Sequence, residues 1–148
     1  MGNQYSSIKI NYEDIQFIIK NNLNNNYLII NTLEINSQDC LIYGTLNIND
    51  EELFINNCLK NGEKNKNIII YGKNCNDEKL EIKYKQLISL GFYNVYIYNG
   101  GLFEWLLLQD IYGDDEFPTT KKELNILKFK PNNLLNRLNT RFPLLEVK

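Results

Sequence analysis

The chain contains no histidine. Imidazole is therefore excluded as a metal ligand and as a general base near neutral pH. Cysteine is scarce: Cys40, Cys58 and Cys75 are scattered, odd in number and without a CxxC pair. They read neither as a disulfide framework nor as a zinc site, so no metal and no cofactor is expected. Neither sign of charge is in excess, since 16 basic and 18 acidic side chains leave a formal net charge of -2. With no basic stripe and no stacking-aromatic motif, nucleic acid is not an expected partner. No apolar run reaches transmembrane length, no secretory signal opens the chain, and no internal repeat divides it. The expected compartment is the reducing cytoplasm.

What is present is the material of one globular domain. The 148 residues are 43% apolar and 12% aromatic, enough to bury a single core without staples. The asparagine-rich run from Asn21 to Asn26 reads as a tolerated surface loop.

The first residues, Met1-Gly2-Asn3-Gln4-Tyr5-Ser6, match the N-myristoylation pattern, with Gly2 as acceptor after Met removal. One myristoyl chain binds membranes weakly and reversibly, with K on the order of 10⁴ M⁻¹. No cysteine precedes Cys40 and Lys9 is the only nearby cation. The expectation is weak or switchable association with the cytoplasmic face of a membrane, or a protein partner that completes the anchor.

Strand and helix signals alternate along the chain. Asn11 can cap a first helix with Ile15, Ile18 and Ile19 as its apolar stripe. Tyr27 to Ile30 is a continuous apolar run, as in a strand buried on both faces. Leu41 to Ile48 reads as a short strand. Asp50 can cap a second helix through Leu53, Phe54 and Leu59 to a stop at Gly62. Ile68 to Tyr71 is the strongest strand signal. A loop follows, then a third helix from Glu78 to Leu90, with Leu80, Tyr84, Leu87 and Ile88 inward and Gly91 ending it. Asn94 to Tyr98 is another buried strand. Gly100-Gly101 breaks the chain before a helix in which Phe103, Trp105 and Leu108 are expected in the core. Such alternation means parallel pairing through right-handed crossovers. From Lys121 the pattern weakens. Leu124, Leu127, Leu134, Leu135 and Leu138 are candidates to pack on the domain, and Pro131 and Pro143 break any long helix. Residues 1–7 thus form a lipidation segment, 8–120 the domain and 121–148 a C-terminal extension that packs on it or projects from it.

Three motifs in this order resemble the rhodanese-like family over residues 8–113. Cys40-Leu41-Ile42-Tyr43-Gly44-Thr45-Leu46-Asn47-Ile48 is similar to its GHIxGAxNI segment. Ile68-Ile69-Ile70-Tyr71 stands where the family's central strand enters the active-site loop. Gly91-Phe92-Tyr93-Asn94-Val95-Tyr96, then Gly100-Gly101 and Trp105, is similar to its GFxxVYxLxGGxxxW ending. The block from Gly101 to Thr120, with Gln109-Asp110-Ile111-Tyr112-Gly113 and Phe117-Pro118-Thr119-Thr120, exceeds the general pattern and suggests a specialised subgroup.

The resemblance implies an α/β domain with a central parallel sheet and helices on both faces. It also implies a cysteine directly after the central strand, in a bowl of loop amides that favours thiolate and persulfide. Here that position is Gly72, which cannot attack or carry sulfur. The active-site loop becomes Gly72, Lys73, Asn74, Cys75, Asn76, Asp77 and Glu78. Asp77 and Glu78 stand where the family pattern CxxGxRS has its arginine and serine. Acids there oppose thiolate and repel thiosulfate or phosphate. As structural residues they suit an N-cap and a first helical turn. Asn31-Thr32-Leu33 replaces the family's Asp-x-Arg, and Leu41 its histidine.

Three readings follow. The first is a catalytically silent binding or scaffold protein that acts on an unidentified protein partner. It would use the former bowl, its acidic rim, or the basic tail of Lys121, Lys122, Lys128, Lys130, Arg137 and Arg141. The second is a sulfurtransferase, persulfide carrier or phosphatase-like enzyme whose nucleophile is Cys75, with Lys73 as the offsetting charge. The third is a building block of a cytoskeletal or membrane-associated assembly. Cys40 and Cys58 are expected to be inert.

Overall fold

In the computed structural model, which describes residues 7–135, four strands form a parallel sheet. They are β1 (Ile8–Ile10), β2 (Tyr27–Asn31), β3 (Asn67–Tyr71) and β4 (Asn94–Tyr98), in the spatial order β1-β4-β3-β2. Four helices connect and cover them: α1 (Tyr12–Lys20), α2 (Ile48–Lys60), α3 (Glu78–Ser89) and α4 (Gly101–Tyr112).

The central strand explains the layering. Alternate residues of a strand point to opposite faces, and in β3 both sets are apolar and buried. Ile69 and Tyr71 join the core under α1 and α4, with Ile15, Ile18, Leu102, Trp105 and Leu106. Ile68 and Ile70 join the core under α2 and α3, with Ile55, Cys58, Leu80, Tyr84 and Leu87. The chain is thus an α/β sandwich with helices on both faces, as the continuous apolar runs imply.

Local signals set the helix starts. Asn11 Oδ1 accepts from the Glu13 and Asp14 amides at 2.9 and 3.3 Å, and Asp14 Oδ2 accepts from the Asn11 amide at 3.0 Å. This reciprocal box satisfies donors that a helix N-terminus leaves open. Asp77 caps α3 as expected. Gly91 turns the chain at φ +105°, a conformation glycine adopts without strain.

Three expectations are corrected. Leu41 to Ile48 is not a strand. Gly44, at φ +92°, and the Thr45 amide bonded to Ile42 O at 3.1 Å make a turn of it. Only isolated bridges remain, Ile42 with Thr119 and Thr45 with Ile29, and Ile48 opens α2. The cap of α2 is Asn47, whose side chain accepts from the Asn49 amide at 2.8 Å; Asp50 lies in the first turn. Leu53 and Phe54 are exposed, because Ile55 and Cys58 define the inner face. At 3.6 residues per turn, Leu53 sits roughly 200° around the helix from Ile55.

The third correction concerns the extension. Leu124, Leu127, Leu134 and Leu135 are all exposed, whereas Phe129 is 4% exposed and Ile126 is half-buried against the same core. Residues Ile126–Phe129 form a 3₁₀ turn. Its three-residue period puts Ile126 and Phe129 on one side and Leu127 off it. Leu138, Arg137, Arg141 and Pro143 lie outside the described residues. The strand β1 was not foreseen: three residues at the sheet edge carry too little pattern.

The block at 117–120 ties α4 to the 41–43 crossing. Trp105 is fully buried, and its ring meets Phe117 edge-on at 5.0 Å. Trp105 Nε1 donates to Pro118 O, and Gln109 Nε2 to Phe117 O, at 3.1 and 2.8 Å. Trp105 is thus in the core, while Phe103 and Leu108 are only partly packed against it.

Candidate functional site

The loop 72–77 leaves the C-terminal end of β3, at the middle of the sheet, and enters α3. Its geometry centres on one carboxylate. Asp77 Oδ1 accepts from the Lys79 amide at 3.0 Å, which is the helix cap. Asp77 Oδ2 accepts from the Lys73 amide and from the Thr32 hydroxyl, each at 3.0 Å. The carboxylate therefore lies inside the loop, over the backbone of Gly72.

Gly72 is hemmed in by that group. A Cβ built on it would overlap Asp77 Oδ2 and stand 2.8 Å from both Asp77 Cγ and Thr32 Oγ1. Its φ is not in the left-handed region, so space rather than backbone conformation demands glycine. Beside the carboxylate lies a pocket of about 80 Å³, walled by Thr32, Leu33, Lys73, Asp77 and, from the extension, Phe129.

The far side of the loop rests on the start of α4. The Leu102 and Phe103 amides donate to Gly72 O and Lys73 O at 2.9 and 3.0 Å. Gly101, at φ +71°, lets the two backbones touch: a Cβ there would meet Gly72 O at 2.8 Å and Asn74 N at 2.9 Å. Asn74 is buried, accepts from the Asn76 amide at 2.8 Å, and donates to Phe129 O at 2.8 Å. The loop is thus held by β2, α4 and the C-terminal extension together.

Cys75 is exposed, with its sulfur 3.9 Å from Asn76 Oδ1. It lines neither the small pocket nor the wider cleft of about 650 Å³ between the loop and residues 130–134. Glu78 is on that wider cleft, as are Lys73, Asn76 and Lys130. Cys40 and Cys58 are buried, and burial pushes both thiols up. Cys40 donates to Lys121 O at 3.2 Å. Gly2 lies outside the described residues. Among those residues no three Cys, Asp or Glu side chains gather as a metal site, and no helix is long and apolar enough to cross a membrane.

Sequence reasoning located the loop and the cap but missed two partners of the site. In the sequence, Thr32 stands out only as a departure from a family motif. Phe129 stood among exposed leucines with nothing to distinguish it.

Two buried phenols flank the site. Tyr71 Oη accepts from the Ile42 amide at 3.1 Å and pairs with Thr45 Oγ1 at 2.8 Å. Tyr98 donates to Glu104. Burial pushes both phenols above their ordinary range. A folded-state pKa above the unfolded value near 10 means that this stability is present below about pH 10 and is lost as pH rises further. Urea unfolding between pH 8 and 11.5 should show stability falling above pH 10, by up to about 1.4 kcal/mol per pH unit for each tyrosine. Tyr71→Phe should reduce that slope by roughly half, with Tyr98 supplying the rest.

A parallel sheet with helices on both faces, whose central strand feeds a loop at a helix N-terminus, is the architecture of a doubly wound α/β domain. Residues 19–108 match the rhodanese-like domain family, and the chain belongs to it. A protein from Lactobacillus plantarum superimposes with a TM-score of 0.56 at 17% identity, over 72% of this chain and 88% of that one. The Alr3790 protein from Anabaena sp. gives 0.53 at 20% identity, over 80% and 97%. The thiosulfate sulfurtransferase from Pseudomonas aeruginosa gives 0.53 at 16% identity, over 68% of this chain and 19% of that one. At these identities the likeness is one of fold. No curated protein matches the chain.

Proposed function

We propose that this chain is a catalytically silent rhodanese-like module that works by binding a protein partner. The observation that carries the reading is Gly72 beneath the Asp77 carboxylate. Family resemblance puts the nucleophilic cysteine directly after the central strand, and here that residue has no side chain. The space such a side chain needs is taken by Asp77 and Thr32. Loop and cap donors that would face an anionic sulfur, the Lys73 and Lys79 amides, are already bonded to Asp77. Residues 8–120 form the module on this reading, and the extension from Lys121 braces its loop through Phe129. Gly2 carries a myristate that adds weak, reversible attachment to the cytoplasmic face of a membrane. Loss of the acyl mass in Gly2→Ala, against an acylated wild type from the same eukaryotic expression host, checks that part.

One observation favours a second reading. Cys75 is a free, exposed thiol three residues along the same loop, and a sulfurtransferase or persulfide carrier would use it. Incubation with thiosulfate or mercaptopyruvate followed by peptide mass spectrometry separates the two. The silent module leaves Cys75 without an added sulfur. A persulfide on Cys75, absent in Cys75→Ser, would establish the carrier instead.

A further inference from the structure

A helix packed on a sheet face ordinarily turns polar side chains outward. α4 does not. Leu102, Trp105, Leu106 and Gln109 take its inner face, yet Leu107, Ile111 and Tyr112 are 38%, 69% and 64% exposed. Phe103, Leu107 and Ile111 recur every four residues and so form one stripe along the helix. The only charged side chains on α4 are Glu104 and Asp110.

The end of that stripe is acidic. Asp110 lies on the exposed side, and Asp114, Asp115 and Glu116 follow the helix stop at Gly113. Among the described residues, Lys122 pairs with Asp114 and Lys20 with Glu116, both at exposed positions, while Asp110 and Asp115 have no ion-pair partner. Apolar side chains that meet water beside uncompensated carboxylates call for apolar groups flanked by cations.

We propose that the outer face of α4, with the 113–116 turn, is a docking surface for a partner-protein segment that carries bulky apolar side chains flanked by Lys or Arg. The surface is separate from the former active-site bowl. α4 braces that loop with its first-turn amides, whereas the stripe runs to the other end of the helix. The inference therefore stands whether or not Cys75 reacts. The carboxylates also oppose an anionic membrane as the occupant.

The test uses the whole chain and two synthetic 14-residue amphipathic peptides, one of Leu and Lys and one of Leu and Glu in the same pattern. Fluorescence anisotropy gives affinity, and amide chemical shifts give the site. The Leu/Lys peptide should bind and shift α4, and the Leu/Glu peptide should not bind. Leu107→Ser with Ile111→Ser should weaken binding about tenfold or more, as truncation of interface anchors does. Asp110→Lys with Asp115→Lys should weaken it by a similar factor and reduce its salt dependence. These exposed substitutions should leave the far-UV spectrum unchanged. Leu53→Ser with Phe54→Ser, on the exposed side of α2, should change nothing. Equal binding of both peptides, shifts elsewhere, or a loss with the α2 pair as large as with the α4 pair would overturn the proposal. So would docking of phosphatidylserine vesicles on this face, or a dimer of the chain through α4 seen by light scattering.

Discussion

Gly72→Cys is expected to leave the protein without sulfur transfer and to lower its unfolding free energy by about 2–4 kcal/mol. The new Cβ overlaps Asp77 Oδ2, so one of the two must move. If Asp77 moves, α3 loses its cap and the Lys73 amide and Thr32 hydroxyl lose their acceptor. If the loop moves, its hold on the α4 amides loosens. Urea unfolding of Gly72→Cys, Asp77→Ala and the double variant measures this. The two costs should not add, because Asp77→Ala removes the group that the new side chain strikes. A Gly72→Cys protein as stable as the wild type would show that the carboxylate does not fill the loop.

Phe129→Ala should cost about 3–5 kcal/mol. The ring is 4% exposed and packs with Leu33, Trp105 and Leu106 in the core under α1 and α4. Its carbonyl also holds the buried Asn74 side chain. Loosening that turn should let the 72–76 amides exchange faster, which hydrogen exchange reads directly. Leu127→Ala, two residues away and 61% exposed, should stay within about 0.5 kcal/mol of the wild type. Equal effects at the two positions would mean that the extension is not braced through Phe129.

Much of the scaffold was legible because its signals are local. Ile68 to Tyr71 and Tyr27 to Ile30 are apolar without interruption, and Asn11 and Asp77 stand where helices need caps. The errors arose where the deciding contact is distant. Leu41 to Ile48 has the composition of a strand, but its hydrogen bonds go to Pro118, Thr120 and Ile29, and Gly44 turns it. Asn47 and Asp50 can both cap a helix, and the sequence alone does not rank them. In the extension, leucines outnumber phenylalanines, yet the 3₁₀ period selects Phe129. The same division holds at the loop. Gly72 and Asp77 were visible as residue types, and the cap role of Asp77 followed from position. That its second oxygen fills the space over Gly72 depends on Thr32, 45 residues away. The wall of that space depends on the Phe129 segment, 55 residues from Asn74.

The exposed leucines and aromatics also divide by physics rather than by type. Leu53 and Phe54 lie on a helix whose other outward residues include Asn49, Asp50 and Glu52, an ordinary solvated face. On α4 the apolar side chains dominate the outer face as well as the inner one. The proposed silent module would act through such a surface, and fold alone does not name the partner.

The most direct test of the silent-module account is steady-state sulfur transfer from thiosulfate or mercaptopyruvate to cyanide by the purified wild-type chain, beside Cys75→Ser. The account predicts that neither protein exceeds the uncatalysed rate. Turnover by the wild type that disappears in Cys75→Ser would contradict it, and would mean that the loop works with a nucleophile three residues beyond Gly72.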